Sequence, residues 1–133
     1  MTIADARYIR FTNFRRSGDA VSTPVWIAPF GDDVVFSSHP EAGKVKRLRN
    51  DPRVEVAKSD VRGRVATGTD VVAGTARLLP EAEHVAAEAA MKRKYGWQWS
   101  GLGLGQTIRR LFGKDPGKAF IAITLGDTVR TEP

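Results

Sequence analysis

The chain has 133 residues, 41% hydrophobic and 27% charged, which excludes both a disordered chain and a membrane-embedded one. It holds no cysteine and two histidines, so disulfides, thiolate zinc centres, cysteine nucleophiles and histidine-rich metal centres are ruled out. The net charge of +6, from 21 Lys and Arg against 15 Asp and Glu, points to an anionic partner.

This length predicts one domain over residues 1–133. Charges at Asp5, Arg7, Arg10 and Arg15 interrupt any apolar signal segment, and no stretch approaches the roughly 18 apolar residues of a membrane span. A cytoplasmic protein without membrane attachment is therefore expected.

Residues 7–16 (RYIRFTNFRR) alternate well enough for a half-buried strand, and Ser17, Gly18 and Asp19 read as a tight turn. Residues 20–30 (AVSTPVWIAPF) are β-branched and aromatic, a second strand in which Pro24 and Pro29 forbid an uninterrupted ladder. A turn at Gly31, Asp32 and Asp33 leads into a third strand over 34–38 (VVFSS), so the opening reads as a three-stranded antiparallel meander.

Residues 41–50 fit a short helix with Val45 and Leu48 as its apolar stripe, ended by Asp51 and Pro52 because the residue before proline avoids the helical region. Residues 53–58 (RVEVAK) alternate as a strand, 59–69 form a polar loop and 70–79 another strand. Residues 81–94 are rich in Ala and Glu, acidic first and basic last, as the helix dipole prefers. A helical turn is expected at 106–112, a closing strand at 119–125 and a further short strand at 127–131. The fold class is thus mainly β with flanking helices, about six strands forming an antiparallel barrel or strongly bent sheet.

The surplus charge is local. Residues 44–64 hold eight basic side chains (Lys44, Lys46, Arg47, Arg49, Arg53, Lys58, Arg62, Arg64) against three acidic ones, so a net of +5 lies in one short stretch. Ser37 and Ser38 end a strand, Gly43 follows, and Lys44 and Arg47 lie in the first turns of the basic helix. Hydroxyls, backbone N–H groups and lysine at one point suit a phosphate. With Val45 at 0° and about 100° per residue, Lys44 falls near −100°, beside the buried stripe, and Arg47 near −160°. The plain alternative is a solvated basic face.

Ser22, Thr23, Pro24, Val25 and Trp26 form a second candidate surface, because a proline removes a ladder donor and frees neighbouring backbone groups for a ligand. Trp26 serves equally well as a core residue. Trp97 and Trp99 read as one wall of a pocket or a plug on a barrel end. The loop SDVRGR places Arg62 and Arg64 around Gly63, a pattern that suits either binding of acidic groups or pairing with acidic side chains across an interface. His39 and His84 read as structural, and the alternating glycines 101–105 lack the dinucleotide-binding spacing.

The order VSTPVW, GDD, VVFSS, GKVKRLRNDPRV resembles the split β-barrel flavin and deazaflavin oxidoreductases, relatives of pyridoxamine-phosphate oxidase. DVRGR, VAGTARLL and RKYGW resemble the branch that uses the deazaflavin coenzyme F420. The resemblance implies a six-stranded split β-barrel and a homodimer with cofactor sites at the subunit interface. It assigns the cofactor phosphate to Ser37, Ser38 and Lys44, the ring system to the strand from Thr23 to Trp26, and closure of the site to the loop from Lys58 to Arg64. On that basis hydride transfer is expected between F420 and a small unsaturated organic substrate, with solvent or a side chain such as Tyr95 giving the proton and no covalent catalyst. An Arg-Lys pair in the oxidases, where this chain has Gly43-Lys44, speaks against FMN, the alternative cofactor.

The phosphodiester and glutamate tail of F420 match the eight basic residues. A non-catalytic carrier or sensor of F420, FMN or heme would use the same residues. A nucleic-acid-binding barrel is disfavoured because the aromatics lie mainly outside the basic stretch.

Overall fold

The computed structural model describes residues 3–96 and 118–133. After a 3-10 turn at Ile3–Asp5 come β1 (Tyr8–Phe14), β2 (Ala20–Trp26), β3 (Ala28–Phe30), β4 (Asp33–Ser38), α1 (Gly43–Asn50), β5 (Arg53–Lys58) and β6 (Asp70–Leu78). A 3-10 turn at Glu81–Glu83 leads into α2 (His84–Tyr95), and β7 (Ala119–Thr131) closes the described chain. Trp97, Trp99, the alternating glycines and the turn expected at 106–112 lie outside the described residues.

All strand pairings are antiparallel, in the order β2-β1-β5-β6-β7-β4-β3. β2 and β3 stand at opposite edges yet are joined through Ile27 alone, so the sheet must curl until its edges meet. The expected strand over 20–30 is therefore two strands, and the opening is not a meander. The physical reason is the Ile27 carbonyl, which accepts from the Lys94 ammonium and the Tyr95 hydroxyl instead of a neighbouring strand. The tail expected as two short strands is one, β7, bulged against β6 near Val72. The sheet thus has seven strands where six were expected.

The pleat separates two cores. Ile9, Phe11, Val25, Val34, Phe36, Val54, Val56, Ile121 and Ile123 fill the inside of the curl, with Val45 and Leu48 of α1 capping it. Phe11 and Phe36 meet there with ring centroids 4.9 Å apart. On the outer face Ala28, Val35, Phe120 and Ala122 receive Ala87, Ala90, Met91 and Tyr95 of α2, with Trp26 packed against them. No helix among the described residues is long and apolar enough to cross a membrane.

Candidate anion and cofactor site

β1, β2, β4, α1, α2 and the loop after β5 converge on a cavity of about 290 Å³, lined by Tyr8, Pro24, Val25, Trp26, Ser37, Lys44, Val61 and Met91. Larger depressions of about 500 and 460 Å³ flank α2. In the first of these Lys118 is already paired with Glu88, whereas the smaller cavity joins an uncompensated cation to a hydroxyl and an indole. That chemistry makes the smaller one the candidate site.

The Lys44 side chain is half-buried, with no carboxylate or hydrogen-bond partner among the described residues. Its pKa is pushed down, first by burial and then by the charge of Arg47. Arg47 is held down in turn by burial and by Arg15. Cations arranged so that they repel one another and lose hydration favour an anion between them.

Asn13, fully buried at the end of β1, organises this corner. Its amide Nδ2 donates to the Lys44 carbonyl at 2.9 Å, and its Oδ1 accepts from Arg47 Nε at 2.7 Å. Asn13, Arg15, Tyr8, Val61 and Met91 went unnoticed in the sequence. They come from three separate segments, and only the buried polar residue in RYIRFTNFRR offered a signal.

Other expected residues divide along the pleat. Ser37 lines the cavity with Lys44, while Ser38 faces the other side of β4, its hydroxyl 3.3 Å from the His39 carbonyl. On β2, Pro24 and Trp26 share the outer face with Ser22, whose Oγ lies 2.7 Å from Thr12 Oγ1. Thr23 faces inward beside Phe11, and its buried Oγ1 has no hydrogen-bond partner.

The loop after β5 lies against β2. Asp60 Oδ1 accepts from the backbone N–H groups of Arg62 and Arg64, both at 2.9 Å, and Gly63 N–H donates to the Asp60 carbonyl. Those bonds, that to Arg64 above all, hold the Asp60 carboxyl below its usual value. Gly63 takes φ +81°, and a Cβ there would stand 3.4 Å from Pro24 Cδ. Lys58 ends β5 opposite Ile9, and the Arg62 side chain is exposed.

The eight basic residues have different surroundings. Arg53 pairs with Asp51 at 2.8 Å, and Lys46, Arg49, Arg62 and Arg64 are exposed, so Lys44 alone of the eight lines the cavity. Tyr95 does not line it. Its hydroxyl lies 2.5 Å from the Ile27 carbonyl and 3.0 Å from that of Arg7, and burial raises its pKa to about 12. Those bonds turn the hydroxyl to the backbone. Tyr8 is the phenol among the cavity residues.

The family model for pyridoxamine 5'-phosphate oxidase matches residues 2–126. No curated protein matches the sequence. An FAD-binding protein from Mesorhizobium loti is 19% identical with a TM-score of 0.62, covering 93% of this chain and 84% of its own. A heme-storage protein from Vibrio cholerae is 11% identical with a TM-score of 0.60, covering 95% and 84%. An F420 reductase is 15% identical with a TM-score of 0.60, covering 93% and 90%. At these identities the solved structures speak for the curled-sheet fold alone. The family match spans nearly the whole chain, and the protein therefore belongs to the pyridoxamine 5'-phosphate oxidase family.

Proposed function

We propose that the protein is an oxidoreductase that binds coenzyme F420, working as a homodimer with its sites at the subunit interface, on a small unsaturated organic substrate. The observation that carries the reading is Lys44, a half-buried ammonium without an acidic partner among the described residues, facing a cavity that also holds Ser37 and Trp26. A cavity of 290 Å³ is at the lower end of the roughly 300–1,000 Å³ usual for ligand pockets, which agrees with a second copy completing it.

The residues present fit the group. Lys44 and Ser37 would hold a phosphate by a charge-assisted bond and a hydroxyl, with Arg47 adding a second cation. Trp26 and Pro24 would give a ring system an apolar wall. When bound, the deazaflavin supplies the hydride chemistry. The protein's part is orientation and exclusion of water, with the loop at Asp60 and Gly63 covering the β2 edge. The separation of cations that favours an anion here also favours FMN.

Purified protein titrated with F420 by fluorescence is expected to bind at micromolar concentration. Absorption spectra after soaking with F420, FMN and heme then read selectivity, and retention of FMN or heme in place of F420 would overturn the cofactor assignment. Turnover of reduced F420 against enones, quinones and bilins separates an enzyme from a carrier.

A further inference from the structure

Gly43 opens α1 without any backbone reason to be glycine. Its φ is not in the left-handed region, and alanine is the better helix former. What alanine would meet is a side chain: a Cβ at position 43 would stand 2.8 Å from Arg47 NH1. The Arg47 guanidinium lies across the place where a side chain of residue 43 would be. It is fixed there from the other end by the fully buried Asn13, whose Oδ1 takes Nε at 2.7 Å while its Nδ2 binds the Lys44 carbonyl at 2.9 Å. Nε is thereby engaged, the terminal nitrogens have no carboxylate partner among the described residues, and the charge of Arg47 bears on Lys44 as that of Arg15 bears on Arg47.

We propose that Gly43, Asn13 and Arg47 form one anion clamp, in which Asn13 is a positioning residue and the missing side chain of Gly43 makes room for a guanidinium that contacts a phosphate group beside Lys44. The inference deepens the cofactor reading and rests on it for the identity of the ligand, but not for its chemistry. A fixed guanidinium and an ammonium together recognise a phosphate bearing more than one accessible oxygen.

The signature is a pair of unequal effects. Gly43→Ala improves helix propensity while pushing the guanidinium from its place against Asn13, so the melting temperature should change little while anion affinity falls. The experiment is a double-mutant cycle on the full chain with Gly43→Ala, Arg47→Ala and the double variant. Binding is read with three probes: F420 by fluorescence, FMN by absorption, and inorganic pyrophosphate by thermal shift.

Each single variant should weaken at least one probe about tenfold, and the double variant should be no more than about twofold weaker than Arg47→Ala, because both changes remove the same contact. Asn13→Ala should resemble Arg47→Ala. If that buried substitution prevents folding, the glycine cycle still decides. Additive losses in the double variant, or a Gly43→Ala protein that binds every probe as the parent does, would overturn the clamp. Failure of F420 with a non-additive cycle for FMN or pyrophosphate would sink the cofactor reading and leave the clamp standing. Failure of all three probes on the parent protein would sink both.

Discussion

The indole of Trp26 stacks on the ring of Tyr95, centroids 4.8 Å apart and planes 24° from parallel, while Tyr8 meets the same indole edge-on at 5.8 Å. One face of the tryptophan is thus spent on the α2 interface, and Trp26 joins core and cavity. The stack also fixes Tyr95 with its hydroxyl turned to the backbone at the crossing from β2 to β3.

Tyr95→Phe is accordingly expected to preserve cofactor binding and turnover and to lower stability by about 1 kcal/mol through loss of its hydrogen bonding. Because its folded pKa is raised to about 12 from 10.0, the hydroxyl's contribution is complete below pH 10 and lost as pH rises through the folded value. Denaturant unfolding between pH 9 and about 12.5 should show a fall in the parent of up to about 2–3 kcal/mol that the variant lacks. A loss of turnover with unchanged cofactor affinity would instead make Tyr95 a participant in the reaction.

Lys44→Ala should weaken F420 binding about tenfold or more, since it removes the charge-assisted bond. Burial, then Arg47, lowers the pKa of this ammonium, so affinity should hold through neutral pH and decline at alkaline pH earlier than an ordinary lysine would permit. Lys44→Arg should abolish that early decline. Fluorescence titrations at stepped pH read both effects.

Asp60→Asn should loosen the loop over β2. The carboxyl is held low chiefly by the Arg64 N–H, so its contribution is complete above the ordinary aspartate range and lost as pH falls through the lowered value. No change is expected between about pH 5 and 8 in the parent. Trypsin cleavage after Arg62 and Arg64 should be several-fold faster in the variant at neutral pH, and equal rates would remove Asp60 from the loop's construction.

Phe36→Ala takes out one ring of the Phe11–Phe36 pair at the centre of the curl, where Phe36 is fully buried. A loss of about 3–5 kcal/mol in denaturant unfolding is expected. A loss under about 1 kcal/mol would mean that the interior collapses readily around the gap.

Much of the local architecture is legible from short-range signals. Alternation in RVEVAK and VVFSS, the Val45 and Leu48 stripe, and Asp51-Pro52 as a stop are read within a few residues, and β4, α1 and β5 lie close to where those signals place them. Helical projection also places Lys44 beside the buried stripe, where it is indeed half-buried. The clustering of eight cations between residues 44 and 64 is likewise a fact of sequence.

What those cations do was decided elsewhere. Aspartates at 51 and 60 turn Arg53 and the SDVRGR loop inward upon themselves, and the pleat separates Ser37 from Ser38. The carbonyl of Ile27, taken by Lys94 and Tyr95 from some 67 and 68 residues away, breaks one apparent strand and sends its halves to opposite edges of the sheet. Amino-acid sequence by itself determined the family, the periodicities and the local surplus of positive charge, because propensity and pattern act over a few residues. Only the tertiary structure decided that Lys44 faces the cavity, that Asn13 binds both the Lys44 carbonyl and the Arg47 guanidinium, and that Tyr8 rather than Tyr95 lines the wall. Those depend on which distant groups bury together, and burial is a property of the whole curled sheet.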